Sequence, residues 1–328
     1  MGLNIVTSMQ PLNVENIITF IYGDPGTWKT TLGFTSKNPI LFDFDKGAYA
    51  AGAFRKDSVQ ISSWSEVARF TAQDLQGYDT IVIDTVGRAL DMLTEQLVTD
   101  SKNVRRGSTD LSMQGYGKLK TQFVNWLKML RSMGKDIVLL AHAKAGTNND
   151  GDATHAPDVQ GSSLSEVYKV SDLVGFLTIE NERKSEVRRL NFVPSSHYYG
   201  KDRGRIGNIT LYPMQDAPNQ LANIIQATKD HINSLSAEAA KAQKELDDLR
   251  NDLLDAETAS DLDEIKADLK IEHPLYLEMA KSIMSRSKAL GFIYDKPSDS
   301  FIEPEPETVE DDEFEPANEQ EAEVVNVE

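Results

Sequence analysis

Gly23-Asp24-Pro25-Gly26-Thr27-Trp28-Lys29-Thr30-Thr31 lies directly after an apolar run, Ile17 to Tyr22, and directly before a helical stretch, Lys29 to Ser36. A strand, a glycine-bearing turn and a helix in that order aim successive backbone N–H groups at one point, reinforced by the positive end of the helix. Such a cradle takes phosphate oxygens. The spacing follows the pattern GxxxxGKS/T except at Trp28, which stands where the pattern has glycine. A ring of backbone amides does not need a bare Cα at every position, but an indole there demands an outward rotamer. In this pattern Lys29 reaches the β and γ phosphates and the Thr30 hydroxyl ligates Mg²⁺. The candidate nucleotide contacts are therefore Gly23, Asp24, Pro25, Gly26, Thr27, Trp28, Lys29, Thr30 and Thr31.

A phosphate loop of this kind needs a metal-orienting carboxylate at the end of a neighbouring buried strand, and Tyr78-Asp79-Thr80-Ile81-Val82-Ile83-Asp84-Thr85 offers Asp84. Its expected task is to hold a Mg²⁺ water more than to bond the metal. Hydrolysis also needs a group that orients or deprotonates water. The run Pro39 to Gly47 carries two carboxylates at alternate positions, which predicts one shared strand face. Asp43 reads as a satisfied buried acid or a strand-end cap. Asp45, nearer the carboxyl end where ligands bind in open α/β sheets, is the better catalytic candidate. His142 ends the run Asp136 to Ala141 at the same edge. There it either senses the γ-phosphate or is a histidine hydrogen-bonded at a strand tip.

Outward from these motifs, residues 14 to 214 alternate short β-rich apolar runs with helical stretches, the pattern of an α/β fold with a largely parallel sheet. Two connections are long and polar, Asp100 to Tyr116 and Ala143 to Ser163, and loops of that length are usually functional or mobile. After Pro213 long helices follow. Leu235, Ala239, Ala242, Leu246, Leu249 and Leu253 form a heptad seam, read as a helical hairpin or as an intermolecular coiled coil. Ser260 with Asp263 resembles a capping box, and Pro274 opens a further helix to about Ala289. From Lys296 onward, Pro, Glu and Asp dominate, the composition of a disordered tail. The expected division is a core over 1–215, a helical region over 216–295 and an acidic tail over 296–328.

The 328 residues are 40% apolar, enough for one large or two modest globular domains. Zero cysteines exclude disulfides and thiol chemistry, and five scattered histidines leave little for zinc. No run approaches the length of a membrane span, and the start MGLNIVTSMQ lacks the pattern of a signal peptide, so a cytoplasmic location and no membrane partner are expected. The net charge of −18 is unevenly placed: residues 300–328 carry −12, residues 234–272 carry −7 and residues 273–299 carry +1, which leaves residues 1–233 neutral. A neutral body tolerates a local basic surface, so the acidity does not exclude nucleic acid.

The order of parts, phosphate loop, strand with acid, strand ending in Asp84, helix, strand with polar tip and long loop, resembles the RecA-like core. It resembles most the phage-encoded RecA-like P-loop ATPases described as phage nucleotide-binding or single-strand annealing proteins, over residues 14 to 215. The resemblance implies ATP and Mg²⁺ as cofactors, single-stranded DNA as partner and a homo-oligomeric ring or filament. It gives Asp45 the role of a catalytic glutamate and His142 that of a glutamine coupling nucleotide to DNA. It makes the polar loops DNA-binding, with Lys102, Arg105, Arg106 and Tyr116 as candidates. It also makes Lys201 and Arg203 basic fingers that reach a neighbouring subunit's ATP site. The acidic tail then has three readings: a mimic of nucleic acid lying on the basic loops, a dock for a replication or recombination partner, or a solubilising extension. The leading function is an ATP-dependent recombination or annealing protein. A helicase-type motor or loader and a nucleotide-gated adaptor with little hydrolysis are the alternatives.

Overall fold

Ile18–Gly23 is buried at all six positions, as are Pro39–Asp43 and Thr80–Asp84 throughout. Burial on both faces, with no alternation of polar residues, is the mark of parallel strands covered by helices on each side. The structure, a computed structural model, describes residues 5–304 except 149, 183 and 184. The elements run β1 (Ile18–Gly23), α1 (Lys29–Gly33), β2 (Pro39–Asp43), β3 (Ser58–Gln60), α2 (Trp64–Val67), β4 (Thr80–Asp84) and α3 (Val86–Val98). They continue with α4 (Met113–Ser132), β5 (Asp136–Thr147), β6 (Ala153–Pro157), α5 (Ser162–Val170), β7 (Leu173–Glu182), β8 (Ser185–Asn191), β9 (Lys201–Asp202) and β10 (Ile209–Leu211). Last come α6 (Gln220–Asp255), α7 (Ala259–Ala267), α8 (Tyr276–Leu290), β11 (Ile293–Asp295) and β12 (Ser300–Ile302).

The main sheet has the order β10-β8-β7-β1-β5-β4-β2-β3, parallel from β7 through β3, with β8 and β10 antiparallel at one edge. One strand, β5, separates the phosphate-loop strand β1 from the acid-bearing strand β4. This is the mixed, mainly parallel sheet of a RecA-like P-loop fold, as expected. Period-two alternation along β1 sends Ile18, Phe20 and Tyr22 to one face and Ile17 and Ile21 to the other. The first face packs on Leu90 and Leu93 of α3, Phe123 and Trp126 of α4, and Val167 of α5. The second packs on Leu32 of α1 and on Leu221, Ile224 and Ile225 of α6. Truncating a fully buried ring such as Phe20 to Ala costs about 3–5 kcal/mol in such a core.

The chain divides into two compact units, Met1–Glu238 and Ala239–Glu328. The first unit extends beyond the compositional change at Pro213, because the apolar residues that begin α6 close its second face. In the second unit Leu246, Leu249 and Leu253 pack against Leu262, Met279, Ile283 and Phe301. From Leu246 onward the heptad seam is therefore spent inside the chain, in an intramolecular helical packing, while Leu235 is exposed.

Three local expectations are corrected. The connection Ala143 to Ser163 is largely a β-hairpin: β5 continues to Thr147 and pairs with β6, Ala145 opposite His155. Its turn is fastened by the Asn148 carboxamide oxygen, which accepts the N–H groups of Asp150 and Asp152 at 3.0 and 2.8 Å. The capping box sits two residues earlier than the Ser260/Asp263 pattern: Thr258 and Asp261 cap each other's backbone, while Asp263 accepts the Phe301 N–H at 3.0 Å. Within the tail assigned from Lys296, Ser300–Ile302 is instead a strand that pairs with Ile293–Asp295, and Phe301 is buried. The remainder of the expected tail, 305–328, lies outside the described residues. Among the described residues no helix is long and apolar enough to cross a membrane.

Candidate functional site

β1 ends in Gly23, where an added Cβ would meet the Leu177 carbonyl oxygen at 2.5 Å, so the close approach of β1 to β7 requires glycine there. The loop then turns through Gly26 at φ +80, a left-handed conformation open to glycine. Thr27 is 3% exposed, and its hydroxyl donates to the Asp24 carbonyl at 2.8 Å, which pins the turn. Trp28 adopts φ 77 and ψ 24 immediately before α1. That conformation costs a bulky residue about 1–2 kcal/mol. The indole points outward, as its size requires, and the Arg188 guanidinium lies 3.4 Å from its ring centroid.

Lys29 is only 6% exposed, and its Nζ donates to the carbonyls of Gly23 and Asp24 at 2.9 and 2.8 Å. Burial lowers its pKa, and the nearby carboxylates of Asp84, Asp24 and Asp45 partly restore it. The Thr30 hydroxyl donates to Asp84 Oδ2 at 2.6 Å. Asp84, 3% exposed at the end of β4, has its carboxyl raised to about 6, first by burial and then by the charges of Asp45 and Asp43, against the Thr30 hydrogen bond and the Lys29 charge. A hydroxyl and a carboxylate in contact beside a buried lysine are hard oxygen donors, and they fit a divalent cation of the magnesium type.

The strand reading of Asp43 and Asp45 needs correction. β2 stops at Asp43, whose two carboxylate oxygens accept the N–H groups of Gly47 and Ala48 at 2.9 and 3.1 Å. Asp43 is the fully buried strand-end cap, and the alternation does not continue past it. Asp45 instead takes its place from the Asp84 carbonyl, which accepts both the Phe44 and Asp45 N–H groups. Its side chain lies 3.5 Å from His142 Nε2 and 3.5 Å from Arg88 Nε. Thus Asp45 and His142, far apart in sequence, meet at the carboxyl edge of the sheet. Among the described residues His142 Nδ1 is buried without a hydrogen-bond partner. Sequence reasoning missed Arg88, although it stands four residues beyond Asp84 in the first turn of α3.

Lys201 and Arg203, expected to reach a neighbouring subunit's site, stand away from this chain's own phosphate loop. β9 pairs with the first residues of β7, Leu173 and Val174, at the sheet end opposite the phosphate loop. Lys201 Nζ donates to the carbonyls of Tyr168, Lys169 and Ser171, closing the carboxyl end of α5, and Arg203 binds Asp172 at 2.8 Å. The expected DNA-binding set has a defined scaffold. Residues Ser101–Asn103 form a 3₁₀ turn, Val104 bridges Leu111, and the Ser112 hydroxyl caps α4 by accepting the Gly115 N–H. Lys102, Arg105 and Arg106 are exposed on this turn and form no ion pair among the described residues, while Tyr116, half-exposed, belongs to the first turn of α4.

With this geometry, the family model described as an AAA domain matches residues 15–204, more than half of the chain. No curated protein shows a significant match. Among solved structures, a KaiC-like protein from the hyperthermophilic archaeon Pyrococcus horikoshii is 13% identical, covering 61% of this chain and 91% of that one at a TM-score of 0.34. The flagellar accessory protein FlaH from Methanocaldococcus jannaschii is 9% identical, covering 60% and 85% at a TM-score of 0.33.

Proposed function

The chain belongs to the AAA domain family, and from that premise we propose that it is a Mg²⁺-dependent ATPase acting on single-stranded DNA as a multimer, in recombination or annealing. The observation that carries the nucleotide half is the Thr30–Asp84 hydrogen bond at 2.6 Å beside the buried Lys29, between the start of α1 and the end of β4. Thr30 and Asp84 are the residues that would hold Mg²⁺, which supplies charge neutralisation at the phosphates when bound. Lys29 gives up two carbonyl partners for phosphate oxygens. The loop amides of Gly26 to Thr30 hold the remaining phosphate charge.

Asp45 is the base. Held between Arg88 and His142, its carboxylate is fixed in direction yet remains 24% exposed, so it can take a proton from a water. Asp45→Asn keeps the shape and removes the basicity. It should lower kcat about 10²–10⁴-fold with the KM for ATP little changed, in steady-state turnover assays. A variant that loses affinity and keeps kcat would place Asp45 in binding instead.

The DNA half rests on Lys102, Arg105 and Arg106, three exposed cations on the connection that leads into α4, whose first turn carries the half-exposed Tyr116. Basic side chains that follow a strand backbone next to a stacking ring are what single-stranded nucleic acid requires. The test is ATP turnover by the full chain with and without single-stranded DNA, compared with Lys102→Ala/Arg105→Ala/Arg106→Ala. Stimulation by DNA should disappear in the triple variant while basal turnover stays. Each cation removed from a DNA phosphate should also flatten the salt dependence of DNA binding by about one unit of slope. Turnover indifferent to DNA in the unaltered chain would remove the DNA half and leave a nucleotide switch.

A further inference from the structure

Trp28 occupies the left-handed region, where residues other than Gly, Asn and Asp are uncommon, yet its backbone is part of the phosphate cradle. Something must hold it there. Its carbonyl accepts the Leu32 N–H at 2.8 Å, which ties it to α1 but leaves the indole free to choose its place. The side chain is fixed from another strand. β7 pairs with β1 so that Leu177 stands opposite Gly23, and β8 pairs with β7 so that Arg188 stands opposite Ile179. Arg188 is thereby delivered just beyond the carboxyl end of β1, with its guanidinium 3.4 Å from the indole centroid. Among the described residues the arginine has little else to hold: the carboxylate of Glu186 is 3.9 Å away, its side chain is 13% exposed, and its Nε is buried with no hydrogen-bond partner. The ring face is its principal partner.

We propose that Arg188 is a positioning residue for the nucleotide site. It clamps the Trp28 indole and so fixes the left-handed backbone that a glycine would adopt unaided, and with it the cradle for the triphosphate. The proposal rests on the nucleotide-binding reading above. It explains how the loop accommodates tryptophan where the pattern has glycine: the conformational freedom missing at residue 28 is replaced by a stack from β8. The consequence is a coupling. Arg188 matters only while residue 28 needs holding, so its effect on nucleotide binding must vanish when residue 28 is glycine.

The experiment is a double-mutant cycle on MgATP affinity, by isothermal titration calorimetry, with melting temperatures recorded for each protein. Arg188→Ala should weaken ATP binding about tenfold, equivalent to about 1.4 kcal/mol. Arg188→Lys should recover only part of the loss, because an ammonium lacks the plane that stacks on a ring. In the Trp28→Gly background, Arg188→Ala should change affinity less than about twofold. Should melting show that Trp28→Gly does not fold, Trp28→Asn takes its place, since asparagine also adopts this conformation. Equal losses in both backgrounds would mean that Arg188 acts on the nucleotide directly, and no loss in the unaltered background would mean that the stack is idle. Either result overturns the proposal. An unaltered chain that binds no ATP removes the nucleotide reading and this proposal together, whereas ATP binding untouched by every Arg188 variant removes the clamp alone.

Discussion

Replacing Lys29 with Met should reduce ATP turnover about 10²–10³-fold, the scale on which a preorganised donor to a transition-state anion acts, and should leave the melting temperature unchanged or raised. The two halves of this expectation come from the same burial. Lys29 is 6% exposed, so water solvates its ammonium poorly, and the pKa is lowered by that desolvation first, with Asp84, Asp24 and Asp45 opposing it. A lysine pKa lowered in the folded state means that the fold binds this proton less readily than the unfolded chain does. The charge therefore weakens the fold below the ordinary lysine value, by an amount that grows as pH falls until the folded lysine is fully protonated. Methionine keeps most of the stem packing and removes the charge. What it cannot replace is the ammonium, whose carbonyl partners at Gly23 and Asp24 are neutral and whose strongest available partner is a phosphate. Thermal denaturation and steady-state turnover on the same preparation check both halves. A melting temperature several degrees lower would identify Lys29 as a structural residue of the loop and withdraw it from the chemistry.

How much of this was legible in the sequence depends on whether a residue's place is set by its own segment or by another. The phosphate loop was legible because its strand, turn and helix are contiguous. Asp84 was legible because a run of buried apolar or β-branched positions ending in an acid defines a strand tip by itself. Asp43 and Asp45 were only half legible. Period-two reasoning holds only while the strand continues, and β2 ends at Asp43 because that carboxylate captures the Gly47 and Ala48 amides. The second polar connection read as a loop because Gly, Asn and Asp are plentiful in it. A hairpin needs those residues only at its turn, and pairing of β5 with β6 supplies the rest. Lys201 and Arg203 carry no local mark of the acceptors they find on α5 and at Asp172. Arg188 was beyond reach for the same reason: Trp28 is remote in sequence and is joined to it only through the order β8-β7-β1.

Replacing Asp84 with Asn should stabilise the folded chain at about pH 8 and at the same time cut Mg²⁺-dependent ATP turnover by roughly 10²-fold or more, an opposition that a merely structural carboxylate would not show. The carboxyl is raised from 3.8 to about 6, with burial the largest cause and the charges of Asp45 and Asp43 adding to it. An acid whose folded pKa is raised keeps its proton longer in the fold than in the unfolded chain. Its effect on stability is absent below the unfolded value, grows as pH rises towards 6, and is constant above that. The shift corresponds to about 3 kcal/mol against the fold once Asp84 is ionised. Asparagine is isosteric and uncharged, and its carboxamide oxygen can still accept the Thr30 hydroxyl, so the packing at the end of β4 survives. Its NH₂ group must find a partner in a site 3% exposed, which brings the expected gain below the full value of about 3 kcal/mol. Urea denaturation at about pH 4.5 and about pH 8 separates the contributions: the variant's advantage should be large at the higher pH and small at the lower. The unaltered chain's affinity for Mg²⁺ should fall as pH drops through about 6, because the cation must then displace the proton from Asp84. An advantage that is the same at both pH values would show that burial of the charge does not govern Asp84, and would leave its link to the cation without physical support.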